Sequence, residues 1–305
     1  MANRHGRQGR DIHGILLFDK PPGLSSNDAL QRVKRLFHAR KVGHTGSLDL
    51  LATGLLPLCF GEATKLSGFL LNANKRYLAT VKLGVSTTTG DAEGDITRAV
   101  TPPAFELETL HEVLASFTGR LQQTPPMHSA IKHQGRRLYE LAHQGITVAR
   151  SPRTVVIHAL RLLRYGDDGV DIAVECSKGT YIRTLAEDIG ERLGCGAHVR
   201  VLQRVGVGPF DIDAALDFET LQRLAQEGME ALTRSLLDID SVLFAEPHIA
   251  LSRDAAYYLC RGQAVVVPHA PTHGLVRLYD HRMHFLGVGQ VLDDGRIAPR
   301  RLLRR

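Results

Sequence analysis

Asp49 is the sole carboxylate between Asp28 and Glu62, inside Gly43-His44-Thr45-Gly46-Ser47-Leu48-Asp49-Leu50-Leu51-Ala52-Thr53-Gly54. Its neighbours there are small or apolar, and desolvating an acid in such company is costly unless a cation ionises it or a reaction uses it. Nucleophilic or general acid–base work would use it. A turn aspartate that accepts backbone hydrogen bonds is the alternative. The stretch is not a P-loop, because no Gly-Lys-Ser/Thr follows at the required spacing. Arg183 is a second misfit. It falls in the first turn of a predicted helix, where the macrodipole favours anions, so it calls for a compensating carboxylate unless it faces solvent. Pairing Arg183 with Asp49 would account for both oddities. A third group lies in PPMHSAIKHQGRRLYELAHQG (125–145), where Lys132, Arg136 and Arg137 stand near Tyr139. Basic side chains beside an aromatic platform suit phosphate and base contacts, and a solvated basic helix face is the plainer reading.

The elements that must position these groups follow from periodicity. Ile15 to Phe18 reads as a buried strand ending in the turn Lys20-Pro21-Pro22-Gly23. Ser25-Ser26-Asn27 offers caps to a helix carrying Leu30, Val33 and Phe37 on one face. Residues 42–62 are glycine-rich and break the periodic pattern. Tyr77-Ala79-Val81-Leu83 and Val170-Ile172-Val174-Cys176 alternate with polar residues, as half-buried strands do. Leu110, Val113, Leu114 and Phe117 have helical spacing. After the second strand, Ser177-Lys178-Gly179 turns the chain into a helix with Ile182, Leu185, Ala186, Ile189 and Leu193 on its inner face. Residues 121–153 read as an insertion bracketed by Pro125-Pro126 and Ser151-Pro152. From about 250 onward short strands alternate with Gly and Pro turns, which suits a small β-barrel module. Intermixed strands and helices predict an α+β fold rather than a doubly wound one.

Composition narrows the classes. The chain has 305 residues with 43% hydrophobic and 23% charged content, which excludes wholesale disorder, collagen and coiled coil. No apolar run approaches the ~18 residues of a membrane span, and Ile15-Leu16-Leu17-Phe18 is too short for a signal-peptide core; a cytoplasmic protein is expected. The four cysteines have no CxxC spacing and read as reduced thiols, and the 15 histidines include no HExxH, so no metal site is expected. The net charge of +6 is unevenly spread. Residues 1–50, 120–153 and 251–305 are each basic by five charges, whereas 211–250 hold nine acids and two arginines. Three separated basic segments fit an anionic partner gripped from several sides, nucleic acid first.

Five ordered blocks resemble the TruB family of tRNA pseudouridine synthases: DKPPGLSS (19–26), GHTGSLDLLATGLLPLCFGEATKLS (43–67), KRYLATVKLG (75–84), PPMHSAIKHQGRRLYELAHQG (125–145) and CSKGTYIRTLAEDIGERLGCGAHVRVL (176–202). The tail FLGVGQVLDDGRIAPRRL (285–302) is similar to that family's C-terminal PUA-like domain. The resemblance implies isomerisation of uridine 55 in the T loop of tRNA to pseudouridine, without cofactor or metal. It implies a largely antiparallel mixed sheet flanked by helices, divided as a basic tail (1–12), a catalytic domain (13–248) with residues 121–153 as a thumb, and a PUA-like domain (249–305). By the same resemblance Asp49 is the catalytic aspartate, Arg183 its ion-pair partner, Tyr77 the ring stacked on the target base, and His44 the T-loop contact. Tyr181 and Leu202 would line the uracil pocket, Lys20 would support the catalytic loop, and Lys132, Arg136 and Arg137 would contact RNA. The partner implied is the T arm of tRNA, with no membrane, no obligatory protein partner, and a stand-alone monomer.

The reaction breaks an N-glycosidic bond, rotates the uracil and rejoins it through carbon 5. It needs a carboxylate, a dry pocket and a flipped base held by stacking. The sequence departs from the family pattern twice. Leu50 replaces the usual proline after the aspartate, and Ser86-Thr87-Thr88-Thr89-Gly90-Asp91 lacks an aspartate often found between the threonines, which reads as local turn variation. A non-catalytic tRNA-binding or folding chaperone would keep the basic surfaces and let Asp49, Arg183 and Tyr77 drift. An ordinary glycosidase would want a second carboxylate beside Asp49.

Overall fold

A computed structural model describes residues 9–142, 144–166 and 169–304, so most of the basic tail 1–12 lies outside the described residues. Strand β1 (Gly14–Lys20) is buried along nearly its whole length. Leu16 and Phe18 enter one core while Ile15 and Leu17 enter another, the period-two alternation of a strand with both faces covered. Helix α1 (Ser26–Leu36) begins at Ser25, whose hydroxyl accepts the Asp28 amide at 3.0 Å, and buries Ala29, Leu30 and Val33. The segment 42–62 departs from expectation: it holds β2 (Val42–His44) and β3 (Thr53–Phe60). Every β3 residue after Thr53 is buried, so the sequence shows a continuous apolar run instead of an alternation, and Pro57 argues against a central strand. The Pro57 carbonyl accepts from both the amide (3.2 Å) and the hydroxyl (3.3 Å) of Thr45.

Helix α2 (Ser67–Asn72) leads to β4 (Lys75–Leu83) and the hairpin β5 (Val85–Thr87) and β6 (Ile96–Ala99). Helix α3 (Leu107–Ser116) buries Leu110, Val113 and Leu114 at the predicted spacing. The chain continues through β7 (Gly119–Gln123), the small hairpin β8 (Lys132–His133) and β9 (Arg136–Arg137), and α4 (Leu138–Ala142). The antiparallel pair β10 (Arg153–Gly166) and β11 (Gly169–Cys176) follows, then α5 (Ile182–Arg192), β12 (Ala197–Val207) and β13 (Phe210–Asp211).

Within the described residues the main sheet runs β1-β3-β12-β4-β11-β10-β7, with β2 on β3 and β13 on β12. Only β12 against β3 is parallel. There Gly54, with φ of +100°, lies so close to β12 that a Cβ would stand 2.4 Å from the Arg204 carbonyl oxygen. One face packs on α1, α5, α6 (Phe218–Glu227) and α7 (Met229–Arg234), which contribute Val33, Leu185, Leu221 and Leu232. The other face packs Leu66, Leu70, Val242 and Leu243.

The C-terminal module comprises β14 (His248–Ala250), α8 (Arg253–Cys260), β15 (Leu275–Tyr279), β16 (Phe285–Val291) and β17 (Ile297–Leu302). Its four strands form a separate sheet over a core that includes Ile249, Leu259, Val276, Leu278 and Ile297. Val288 of this module joins the second core of the main sheet. The short strands with Gly turns match expectation; α8, capped by Ser252, was not read from the sequence. The fold is α+β and mostly antiparallel, as expected. Among the described residues no helix is long and apolar enough to cross a membrane.

Candidate active site

Arg183 is the second residue of α5, and its side chain is only 4% exposed. It grips Asp49 with two nitrogens, Nε to Oδ2 at 3.0 Å and Nη2 to Oδ1 at 3.1 Å. Its remaining donors reach the Thr89 carbonyl at 2.8 Å and the His128 carbonyl at 2.7 Å, and Asp91 Oδ2 lies 3.7 Å from Nε. Asp49 itself is 40% exposed and sits between β2 and β3. The cation at the helix start is therefore surrounded by two carboxylates, as the dipole argument requires. Burial pushes the Asp49 carboxyl above its ordinary value; Arg183 pulls it back, and Asp91 adds to the rise.

Two aromatic side chains, Tyr77 and Tyr181, lie within reach of the Asp49 charge. Tyr77 on β4 stands opposite Arg204 of β12, and Leu202, 5% exposed, stands opposite Ala79 in the same register. Burial raises the Tyr77 phenol, the nearby Asp49 charge raises it further, and Arg204 acts in the other sense. Tyr181 caps α5, and Gln123 of β7 clamps it from both sides: the Tyr181 amide donates to Gln123 Oε1 at 3.0 Å, and Gln123 Nε2 donates to the Tyr181 carbonyl at 3.2 Å. That clamp fixes the start of the helix bearing Arg183. His44 ends β2; burial lowers its imidazole, with the charges of Arg204 and Arg137 acting in the same direction.

Lys20 ends β1 with its side chain fully buried. Its ammonium donates to the carbonyls of Pro21 (2.8 Å), Leu24 (2.8 Å) and Leu50 (3.4 Å). Burial brings it down to about 8, against the opposing pull of Asp49. Leu50 thus serves the loop through its carbonyl, which also accepts the Gly23 amide at 2.8 Å, while its side chain is 47% exposed.

The basic run is not a helix face. Lys132 pairs with Arg137 and His133 with Arg136 across a hairpin. Gln134 (φ 50°) and Gly135 (φ 86°) form its tip, both in the left-handed region that two-residue hairpin turns use. Lys132, Arg136 and Arg137 are exposed there. Arg137 lies 5.8 Å from the Tyr139 ring, and Arg136 donates to Gln144 at 2.7 Å.

Sequence reasoning missed Asp91 and Arg204. Asp91 is 3% exposed, accepts the Thr89 hydroxyl at 2.5 Å and the Glu93 amide at 3.1 Å, and completes the Arg183 cluster. The stretch 86–91 thus meets Arg183 through the Thr89 carbonyl and the Asp91 carboxylate. Arg204 occupies the inward phase of β12, two residues after Leu202, and a charged residue on an otherwise apolar phase was the signal available. Among the described residues no group of three His, Cys, Asp or Glu side chains could hold a metal ion.

Residues 34–182 match the N-terminal domain of the TruB family pseudouridylate synthases, 183–244 match a tRNA pseudouridylate synthase B C-terminal domain, and 247–303 match a pseudouridine synthase II TruB C-terminal domain. The chain is 54% identical to tRNA pseudouridine synthase B of Nitrosococcus oceani, over 99% of this chain and 98% of that one. It is 53% identical to the protein of the same name from Stutzerimonas stutzeri, over 97% of each. In fold it is similar to a chain in the crystal structure of a Cbf5-Nop10-Gar1 complex, with a TM-score of 0.73 at 23% identity over 96% of this chain and 84% of that one. It is equally similar to a chain in an H/ACA RNP bound to a substrate RNA containing 2'-deoxyuridine, with a TM-score of 0.74 at 20% identity over 96% and 86%. With matched domains along nearly its full length and relatives above half identity, the chain belongs to the TruB family of pseudouridine synthases.

Proposed function

We propose that this enzyme isomerises uridine 55 in the T loop of tRNA to pseudouridine, with Asp49 as the catalytic carboxylate. The observation that carries this reading is the two-point Arg183 grip on Asp49, with Tyr77 and Tyr181 within reach of its charge. A carboxylate in that position faces the sugar and base of a nucleotide stacked on Tyr77. Breaking the N1–C1′ bond, turning the uracil and forming C5–C1′ all take place against it. Arg183 opposes the burial that favours the protonated acid, so the carboxylate form is available to react. Tyr77 stacks on the base and presents a hydroxyl toward the departing C5 proton. Leu202 and Tyr181 exclude water, and His44 contacts the opened T loop. The hairpin with Lys132, Arg136 and Arg137 belongs to a thumb over residues 121–153 that meets the phosphate backbone. We read residues 13–248 as the catalytic domain and 249–305 as a PUA-like RNA-binding domain of a stand-alone monomer.

The test is a pseudouridine assay on a T-arm stem-loop transcript in EDTA, with the modified position read by carbodiimide primer extension. A stop at uridine 55 with the wild type, absent with Asp49→Asn while RNA binding persists, is the expected result. A stop retained in Asp49→Asn removes the catalytic assignment, and a stop elsewhere moves the target.

A further inference from the structure

Arg204 is the bulkiest of the fully buried side chains, 1% exposed, and among the described residues its bonded partners are neutral oxygens. Nε donates to the Leu55 carbonyl at 2.7 Å and Nη2 to the Gly46 carbonyl at 3.1 Å. Leu55 belongs to the strand that follows the catalytic loop, and Gly46 lies inside the loop, between His44 and Asp49. Across the sheet Arg204 is in register with Tyr77, and directly opposed residues of an antiparallel pair share a face. The guanidinium accordingly engages the Tyr77 side chain through a hydrogen bond and as a neighbouring charge. Burying a cation without a carboxylate partner is costly, so apolar packing does not account for an arginine here.

We propose that Arg204 is a positioning residue for the reaction: one guanidinium sets the Tyr77 hydroxyl and fixes the backbone that carries Asp49. An arginine only donates hydrogen bonds. At the Tyr77 oxygen it therefore takes one acceptor position and holds the hydroxyl in a fixed place against the base pocket. The same group, by holding Gly46 and Leu55, fixes the separation of the stacking ring from the carboxylate. This inference rests on the reading above in which Tyr77 faces the target uracil.

The experiment uses the full chain carrying 13Cζ-tyrosine, with the Tyr77 resonance identified by its loss in Tyr77→Phe. In Arg204→Met that resonance should move more than any other tyrosine's. The single-turnover rate on T-arm RNA should fall roughly 10- to 100-fold, the size of a lost charged hydrogen bond, with Kd within about threefold. Arg204→Lys, which keeps the charge but not the fork, should recover part of the rate. A Tyr77 resonance that stays in place overturns the proposal. So does a loss confined to RNA binding. If Arg204→Met does not fold, Arg204→Lys decides by the same two readouts. A wild type that makes no pseudouridine defeats the functional reading, whereas the Tyr77 resonance in the free protein still decides the Arg204 contact.

Discussion

Replacing Arg183 by alanine removes both nitrogens that hold Asp49 and frees the Thr89 and His128 carbonyls at once. Hydrogen bonds to charged groups contribute about 1.5–3 kcal/mol each in net terms. Because Asp49 is 40% exposed, water screens part of the pair, and the lower end applies to each of its two contacts. A combined loss of about 3 kcal/mol in the transition state corresponds to a rate roughly 150-fold lower. The pH profile carries the sharper signature. In the proposed reaction the carboxylate is the working form; burial already raises the Asp49 carboxyl, and Arg183 is the main influence opposing it. Removing that cation raises the carboxyl further, so the acid limb of the single-turnover rate should move to higher pH. The assay is quenched-flow tritium release from [5-3H]uridine T-arm RNA at saturating enzyme, across pH, with thermal melting to confirm a folded variant. Arg183→Lys should fall between the two, because an ammonium supplies charge without the planar fork. An acid limb that does not move, or a defect that disappears at saturating RNA, would show that Arg183 binds phosphate instead of holding Asp49.

The exposed hairpin offers three cations to RNA. Changing Lys132, Arg136 and Arg137 together to glutamine should reduce the slope of log Kobs against log salt by roughly two to three units if each meets a phosphate; filter binding between 50 and 200 mM salt reads it, and an unchanged slope removes the hairpin from the backbone contact. Gly54→Ala places a Cβ 2.4 Å from the Arg204 carbonyl oxygen at a positive φ, so the parallel β3–β12 pairing must part. Calorimetry should register a loss of about 1–3 kcal/mol, the cost of backbone strain at one residue, and an unchanged Tm would contradict that packing. Leu50→Ala leaves the carbonyl that Lys20 and Gly23 use. Its rate should stay within about twofold, as for other surface changes inside ±0.5 kcal/mol; a tenfold loss would mean that the side chain, not the backbone, supports the loop.

What could be read ahead from the sequence was whatever leaves a periodic or compositional trace. The Ser25 cap, the inner faces of α3 and α5, and the alternation of β4 and β11 all appear where local spacing put them. Asp49 and Arg183 were visible as two misfits, and the structure brings them into contact. Strand β3 was invisible because burial on both faces erases alternation. The basic run at 132–137 was ambiguous because a short hairpin and a helix face share the same composition, and the positive φ at Gln134 settles it only in three dimensions. Asp91 was passed over because its partners, Arg183 and Val199, are distant in sequence.

The loop that carries Asp49 is held through main-chain oxygens. Lys20, Arg183 and Arg204 are all buried, and each donates to two or three carbonyls contributed by separate segments. A carbonyl carries no side-chain identity, so the acceptors at Gly46, Leu50, Leu55, Thr89 and His128 leave no mark in the sequence, and only the donors do. The donor types follow from acceptor geometry. Three carbonyls converge on one point at Lys20, which an ammonium with three rotatable donors can serve. At Arg183 and Arg204 the acceptors diverge, and a planar fork spans them. Cations gripping backbone in this way also tolerate Leu50 in place of proline, since the group that Lys20 needs from that position is present in every residue.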